Sequence, residues 1–454
     1  MESQKLHFAQ ALLPEGWARD VTVAIGADGM IQSVTPGGRG GRKIKGAAVP
    51  AMPNVHSHAH QRLMQGLAEK AGPGADSFWT WREVMYGFAL RLGPDDLEAV
   101  AAQLYVEMLK SGFSVVGEFQ YLHHQPDGTP YDEPAELSLR CLSAAEQAGI
   151  AITLLPTLYA YGGFGGQPPV DGQRRFIHGA DSYLRMQETL AKASAINPLR
   201  RLGISPHSLR ATTPALLKEV LNGIAPDAPV HIHVAEQVKE VEDCVSFSGL
   251  RPVEMLLENF DLSPRWTAIH ATHMTARETQ RLASSGAIAG LCPTTEANLG
   301  DGVFPATHYM KDGGAIAIGS DSHITVSPSE DLRMLEYSQR LRDRTRNALA
   351  LSPGASTGRT LYEAALKGGA KSMAQPVGAI AEGHRADIAV LDTEHPSLIG
   401  RSDDQLLDSW IFSAGNAAVA HMFVAGAQLV KNGRHIREEK IETRFRNTVR
   451  RLMT

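Results

Sequence analysis

Two kinds of patterning alternate along the chain. From about Leu6 to Pro50, apolar and polar positions alternate between glycine turns, as in VTVAIGADGMIQSV, which is broken at Gly26 and Gly29. A period of two between turn residues predicts short, half-buried strands. The pattern returns in HRADIAVLD (384–392) and AVAHMFVAGAQLVKNG (418–433), where Asn432-Gly433 marks a tight hairpin. Two β-rich pieces flanking one long segment predict a small β domain, a sandwich built from both chain termini. The long segment carries eight apolar runs: AAVPAMPNV, SVVGEF, IAITLLPTL, RLGISP, VHIHVAE, TAIHATH, AIAGLCP and AIAIGSD. Each is followed by a polar or Gly-rich loop and a helix-period stretch. Strands alternating with helices imply a parallel sheet, and eight such units match a closed (β/α)8 barrel of the TIM type. The expected division is 1–50 for the first part of the β domain, 51–375 for the barrel, 376–437 for the second part and 438–454 for a C-terminal helix.

Length agrees with that division, because 454 residues exceed what one core usually serves. Forty-four basic residues against 49 acidic ones leave a net charge of −5 with no Lys/Arg run. No global field favours nucleic acid or an anionic membrane, so an anionic ligand needs individually placed arginines. Cys141, Cys244 and Cys292 lie far apart with no CxxC pairing, and read as reduced, buried thiols. The start, MESQKLHFAQALLPEGW, has no basic segment leading into an apolar core, and no apolar run approaches the ~18 residues of a membrane helix. The expectation is a cytoplasmic protein.

The chemistry lies in where the ionisable residues fall, since barrel catalytic groups sit at the C-terminal ends of strands. Strand one ends in NVHSHAHQR, and extended backbone turns His56 and His58 to the same side. Strand five ends in HIHVAEQ with His233 and Glu236, strand six in IHATH with His270, and strand eight in GSDSH with Asp321. His56, His58, His233 and Asp321 make a nitrogen and oxygen shell for one divalent metal ion, with a position left open for water. Such an ion lowers the water pKa from ~16 to ~7. Glu236 is placed to carry the water proton to a leaving nitrogen. His270 and Asp321 are placed to orient the attacking oxygen, and His270 could instead polarise the group attacked. Any one of 18 histidines is most often structural, and HxH alone is a weak signal. Four matching residue types at four strand ends are a specific one. His60, His273 and His323 are read as structural neighbours, and the residue types alone leave iron or manganese open as the metal.

PNVHSHAHQ, HIHVAEQ, AIHATH and IGSDS resemble the amidohydrolase superfamily across essentially the whole chain. The resemblance implies a deformed TIM barrel with a small terminal β-sandwich. It carries zinc ligation onto His56, His58, His233 and Asp321, and catalytic roles onto Glu236 and His270. Binuclear members have a carboxylated lysine at the end of strand four; ISPHSLR has none, so a single ion is expected. The HVAE arrangement is similar to the deaminase branch. NVHSHAHQRLMQGLAE, FWTWREVMYGF, GEFQYLHH and ISPHSLRA are similar, more narrowly, to the formimidoylglutamate deiminase family of histidine degradation. That similarity implies hydrolysis of a linear amidine, N-formimino-L-glutamate, to N-formyl-L-glutamate and ammonia, by a homodimer.

A dicarboxylate needs cationic partners with fork geometry, and Arg82, in the long loop after strand one, and Arg210, just after strand four, are the candidates. His207, Gln61 and Tyr121 supply further hydrogen bonds at the same mouth. Trp79 and Trp81 are expected to pack the loop, and Glu118 to accept a supporting hydrogen bond without a catalytic role. Two other readings compete. An aminopurine or other heterocycle deaminase shares the metal shell but favours stacking and amide contacts over two arginines. A metal-free barrel serving assembly typically lacks the ligands, all of which are present here.

Overall fold

The computed structural model describes residues 2–71 and 78–453. Its terminal strands form one hydrogen-bonded path of eight. Gln4–Leu13, Gly16–Ile25, Ile31–Thr35 and Arg42–Pro50 come from one end of the chain, and Ile388–Leu391, Val419–Val424, Ala427–Lys431 and Arg434–His435 from the other. The two halves meet where Ile388–Leu391 runs antiparallel to Arg42–Pro50, with Ile388 opposite Pro50 and Leu391 opposite Ala47. Alternation then divides the faces. Ala48, Ile388 and Val390 join Leu6, Phe8, Val23 and Phe423 in a core of their own, whereas Ala47, Val49, Ala389 and Leu391 turn to the main core. Asn432 and Gly433 both have positive φ, 50° and 72°, between the paired Lys431 and Arg434. This is the mirror-image hairpin turn that the Asn-Gly pair predicts.

The barrel strands are Met52–Ser57, Phe113–Gln120, Ala151–Leu158, the broken pair Arg200–Leu202 and Ser205–Pro206, Val230–Val234, Trp266–His270, Ile288–Leu291 and Ala315–Ile318. They pair in parallel as two arcs joined by two thin seams. Strand four meets strand five through the bridge of Ile204 to Val230. Strand eight meets strand one through the bridge of Ser57 to Asp321, formed by Asp321 N–H to His56 C=O (3.0 Å) and His58 N–H to Asp321 C=O (3.2 Å). The buried Asn54 side chain reinforces this second seam, accepting from Ser320 N–H at 3.1 Å and donating to Ser320 Oγ at 2.7 Å. Gly319 makes the approach possible, since a Cβ there would lie 2.7 Å from both the nitrogen and the Cβ of His56.

Helices follow the strands and cover the barrel. Several begin with the signals the sequence supplies: Thr275 accepts from Glu278 N–H, and Ser327 precedes Pro328 and accepts from Glu330 N–H. The tail helix Glu438–Met453 lies on Pro94–Ser111, with Arg444 2.6 Å from Glu98 and Lys110 paired to Glu438. All three cysteines are free and buried. Among the described residues, no helix is long and apolar enough to cross a membrane.

Candidate metal centre and active site

The strand ends bring the sequence-predicted ligands together at the mouth of the barrel. The Nε2 atoms of His56 and His233 are 3.0 Å apart, and those of His56 and His58 are each 3.5 Å from Asp321 Oδ1. Two overlapping groups share His56: one with His58 and His233, the other with His270 and Asp321. His270 Nε2 lies 3.7 Å from Asp321 Oδ2 and 3.9 Å from Glu236.

Hydrogen bonds fix which ring nitrogens face inward. His58 Nδ1 donates to the Phe119 carbonyl and His233 Nδ1 to the His207 carbonyl, each at 2.9 Å. A carbonyl only accepts, so these protons sit on Nδ1 and the Nε2 lone pairs point into the cluster. Burial pushes the imidazolium forms of His56, His58 and His233 out of the neutral range, and for His56 and His233 neighbouring histidines add to the effect. Neutral imidazoles and a carboxylate, separated by 3.0–3.5 Å, suit the edges of a tetrahedral site, about 3.3 Å for an ion bound at 2.0–2.1 Å. The donor set fits a divalent metal ion.

The backbone bends sharply to present these groups. Ala235, His270, Ala271, Asp321 and His323 all have left-handed φ, between 47° and 66°. Each such non-glycine residue costs roughly 1–3 kcal/mol, a strain that typically persists only where surrounding bonds enforce it. Here Ala271 N–H donates to Val234 C=O at 3.0 Å and His273 N–H to Ala235 C=O at 2.9 Å. Glu118, fully buried, holds the His56–His58 turn from below. It accepts from Ser57 Oγ (2.6 Å), Ala59 N–H (2.8 Å) and Tyr105 Oη (3.0 Å), and burial outweighs these donors to lift its pKa to about 7. His323 bridges Ser320 Oγ at 3.0 Å and Ser57 Oγ at 3.3 Å. His60 Nε2 bonds the Tyr121 hydroxyl at 2.9 Å.

Outward from the cluster opens a cleft, the usual form of a small-molecule site. Gln61, Arg82, Tyr121, His207 and Arg210 all line it, together with His58, His233, Glu236, His270 and Asp321. Gln61 Nε2 donates to the Tyr121 hydroxyl at 2.8 Å. Arg82 lies on a helix, Phe78–Ala89, and not in an irregular loop. Phe78, Trp81, Arg82, Met85 and Tyr86 face the cleft at helical spacing. The Arg82 and Arg210 guanidiniums lie 4.5 Å and 5.7 Å from the Trp79 ring centre, so Trp79 serves as their shared platform. Among the described residues no carboxylate comes within ion-pairing distance of either, and both Nε atoms are buried without a hydrogen-bond partner.

The Amidohydrolase family profile matches residues 47–429, and the profile described as Formimidoylglutamate deiminase HutF, N-terminal domain, matches residues 4–41. The formimidoylglutamate deiminase of Pseudomonas aeruginosa is 52% identical over 438 residues, covering 96% of each chain. The chain belongs to the amidohydrolase family. The crystal structure of an amidohydrolase from Brucella melitensis superposes on this amidohydrolase with a TM-score of 0.94 and 48% identity, covering 99% of this chain and 100% of that one. More distant is the 5-methylthioadenosine/S-adenosylhomocysteine deaminase of Nitratidesulfovibrio vulgaris, 28% identical over 86% of this chain and 81% of its own. Amidohydrolases of this family are metal-dependent hydrolases, and this one has the His and Asp cluster to hold the metal.

Three acids of the amidohydrolase site escaped the sequence reading. Glu296 lies 3.3 Å from His270 Nδ1 and accepts from Cys292 N–H at 2.9 Å. Glu240 accepts from Ala235 N–H (3.2 Å) and Glu236 N–H (3.0 Å), securing the turn that presents Glu236. Asp301 is bonded by Gln237, and burial followed by the charge of Glu236 raises it to about 9. Burial opposes charge on His270 too, but Glu236, Glu296 and Asp321 outweigh it and raise its pKa to about 10. Glu236 rises to about 7, chiefly through burial and against the pull of His270.

Proposed function

We propose that this amidohydrolase hydrolyses N-formimino-L-glutamate to N-formyl-L-glutamate and ammonia, using a single zinc ion held by His56, His58, His233 and Asp321. The observation that carries the reading is the pair of guanidiniums, Arg82 and Arg210, facing the cleft with no carboxylate partner among the described residues. Two half-buried cations that face the cleft, with no carboxylate of the described residues within ion-pairing distance, suit a doubly anionic ligand, and a guanidinium binds a carboxylate bidentately. The strong similarity to the Pseudomonas aeruginosa enzyme supports the same substrate.

When bound, a divalent ion supplies Lewis acidity and brings the pKa of water to ~7. The protein does the rest. Arg82 and Arg210 hold the two carboxylates, with Gln61, Tyr121 and His207 completing the wall, so that the formimino carbon faces the cluster. Glu236 takes a proton from the attacking water and delivers it to the imino nitrogen. It then passes on the second proton, from the hydroxyl of the tetrahedral carbon, as the C=O forms and the C–N bond breaks, so that the nitrogen leaves as ammonia. Asp321 and His270 orient the incoming oxygen, and Glu296 fixes the His270 ring from behind. The buried free thiols support a cytoplasmic setting. A homodimer is the state most frequent among soluble oligomers.

The test is ammonia release from formiminoglutamate, guanine, adenosine and methylthioadenosine by zinc-loaded protein, with the metal content measured alongside. Turnover of formiminoglutamate alone is expected. Preferential turnover of a purine would transfer the assignment to the heterocycle deaminases.

A further inference from the structure

A fully buried arginine behind the cleft takes no part in the scheme above. Arg175 has 0% exposure, and among the described residues no carboxylate lies within ion-pairing distance of it. A buried charge without a counter-ion is expensive unless its donors are filled, and here backbone carbonyls accept from Nε and Nη1. Nη1 donates to Ala89 C=O and, at 2.9 Å, to Leu92 C=O, while Nε donates to His124 C=O at 2.7 Å. Nη2 lies 3.5 Å from the Tyr131 hydroxyl. Its own carbonyl accepts from His123 N–H (2.9 Å) and His124 N–H (3.0 Å).

These partners belong to the pieces that build the substrate wall. Ala89 ends the helix that carries Arg82, so the guanidinium caps carbonyls at the negative end of that helix. His123 and His124 follow Tyr121 in the segment after strand two. Phe176, next to Arg175, stacks edge-on against Tyr121 at 5.0 Å and meets Tyr86 at 6.0 Å. Gly172 lets the same segment press on the Arg82 helix, because a Cβ there would lie 2.6 Å from the Tyr86 ring.

We propose that Arg175 is a positioning residue for substrate recognition, setting where the helix Phe78–Ala89 places the Arg82 guanidinium. This rests on Arg82 holding a substrate carboxylate, so the experiment tests that separately. Arg82→Met, Arg175→Met and the double variant are compared in the zinc-loaded enzyme for KM, kcat and metal content. Arg175→Met should raise KM about tenfold or more, leave kcat within about threefold and leave metal stoichiometry unchanged. In the Arg82→Met background the effect of Arg175→Met on KM should shrink to below about twofold, because the guanidinium it positions is already gone. Equal KM effects with and without Arg82, or a loss confined to kcat and metal content, overturn the proposal. If Arg82→Met alone leaves KM unchanged, it is the carboxylate reading that fails. Arg175→Lys keeps the charge but cannot span the carbonyls, and it carries the same comparison should Arg175→Met not fold.

Discussion

His233 Nδ1 donates to the backbone carbonyl of His207 at 2.9 Å, and this bond joins the His and Asp cluster to the wall of the cleft across the fourth and fifth strands. The carbonyl orients the His233 ring while the His207 ring lines the cleft. His207→Ala should therefore keep full metal stoichiometry, because the acceptor is main chain, yet raise KM. Metal analysis beside steady-state kinetics checks this, and loss of metal would show that the side chain holds the turn.

Glu236→Gln keeps the shape of the proposed proton carrier and removes its basicity. Turnover should fall by about 10²–10⁴ with metal content unchanged. Near-normal kcat in this variant would refute the role.

The pH profile follows from the same group. Burial lifts Glu236 to about 7 against the pull of His270, and a dication at the neighbouring imidazoles draws it lower again. Only the ionised form accepts a proton, so kcat/KM should rise with pH along an acid limb whose midpoint lies below 7 in the zinc-loaded enzyme. That limb should vanish from the residual activity of Glu236→Gln; its persistence would assign it to another group.

Hydrogen bonds to charged groups contribute about 1.5–3 kcal/mol, so Arg210→Met should raise KM for formiminoglutamate by roughly 10- to 100-fold. A simple formamidine without carboxylates makes no such contact, and its kcat/KM should not fall. Equal losses for both substrates would make the arginine structural.

Gly319→Ala forces a methyl against His56, a contact of 2.7 Å that backbone cannot yield cheaply. Overpacking of this kind costs about 1–3 kcal/mol. A lower Tm together with weaker metal retention is expected; a Tm equal to that of the parent would mean that strand eight shifts freely.

The barrel was readable because parallel strands buried on both faces leave near-continuous apolar runs, and because His56 near the end of strand one and His58 just past it are two residues apart. Strand four was less so: RLGISP breaks at Gly203, where a Cβ would lie 2.6 Å from the Pro229 carbonyl. The helix carrying Arg82 was missed because its inward stripe mixes Arg82 with Phe78, Trp81, Met85 and Tyr86, which blurs the apolar period. Glu240, Glu296 and Asp301 belong to no local motif. Left-handed turns at Ala235, His270 and Asp321 help gather these acids, and such turns at non-glycine residues leave no mark in composition.

The seam between strands one and eight has a consequence for how the protein ages in a cell. Two main-chain bonds and Asn54 hold it, while His56 and His58 stand on one lip and Asp321 on the other. A cation bound there clasps the two lips, so its affinity adds directly to the free energy of unfolding. Chelation should thus loosen the cylinder at this gap first, and a cell short of metal would lose the polypeptide to proteolysis as well as its activity.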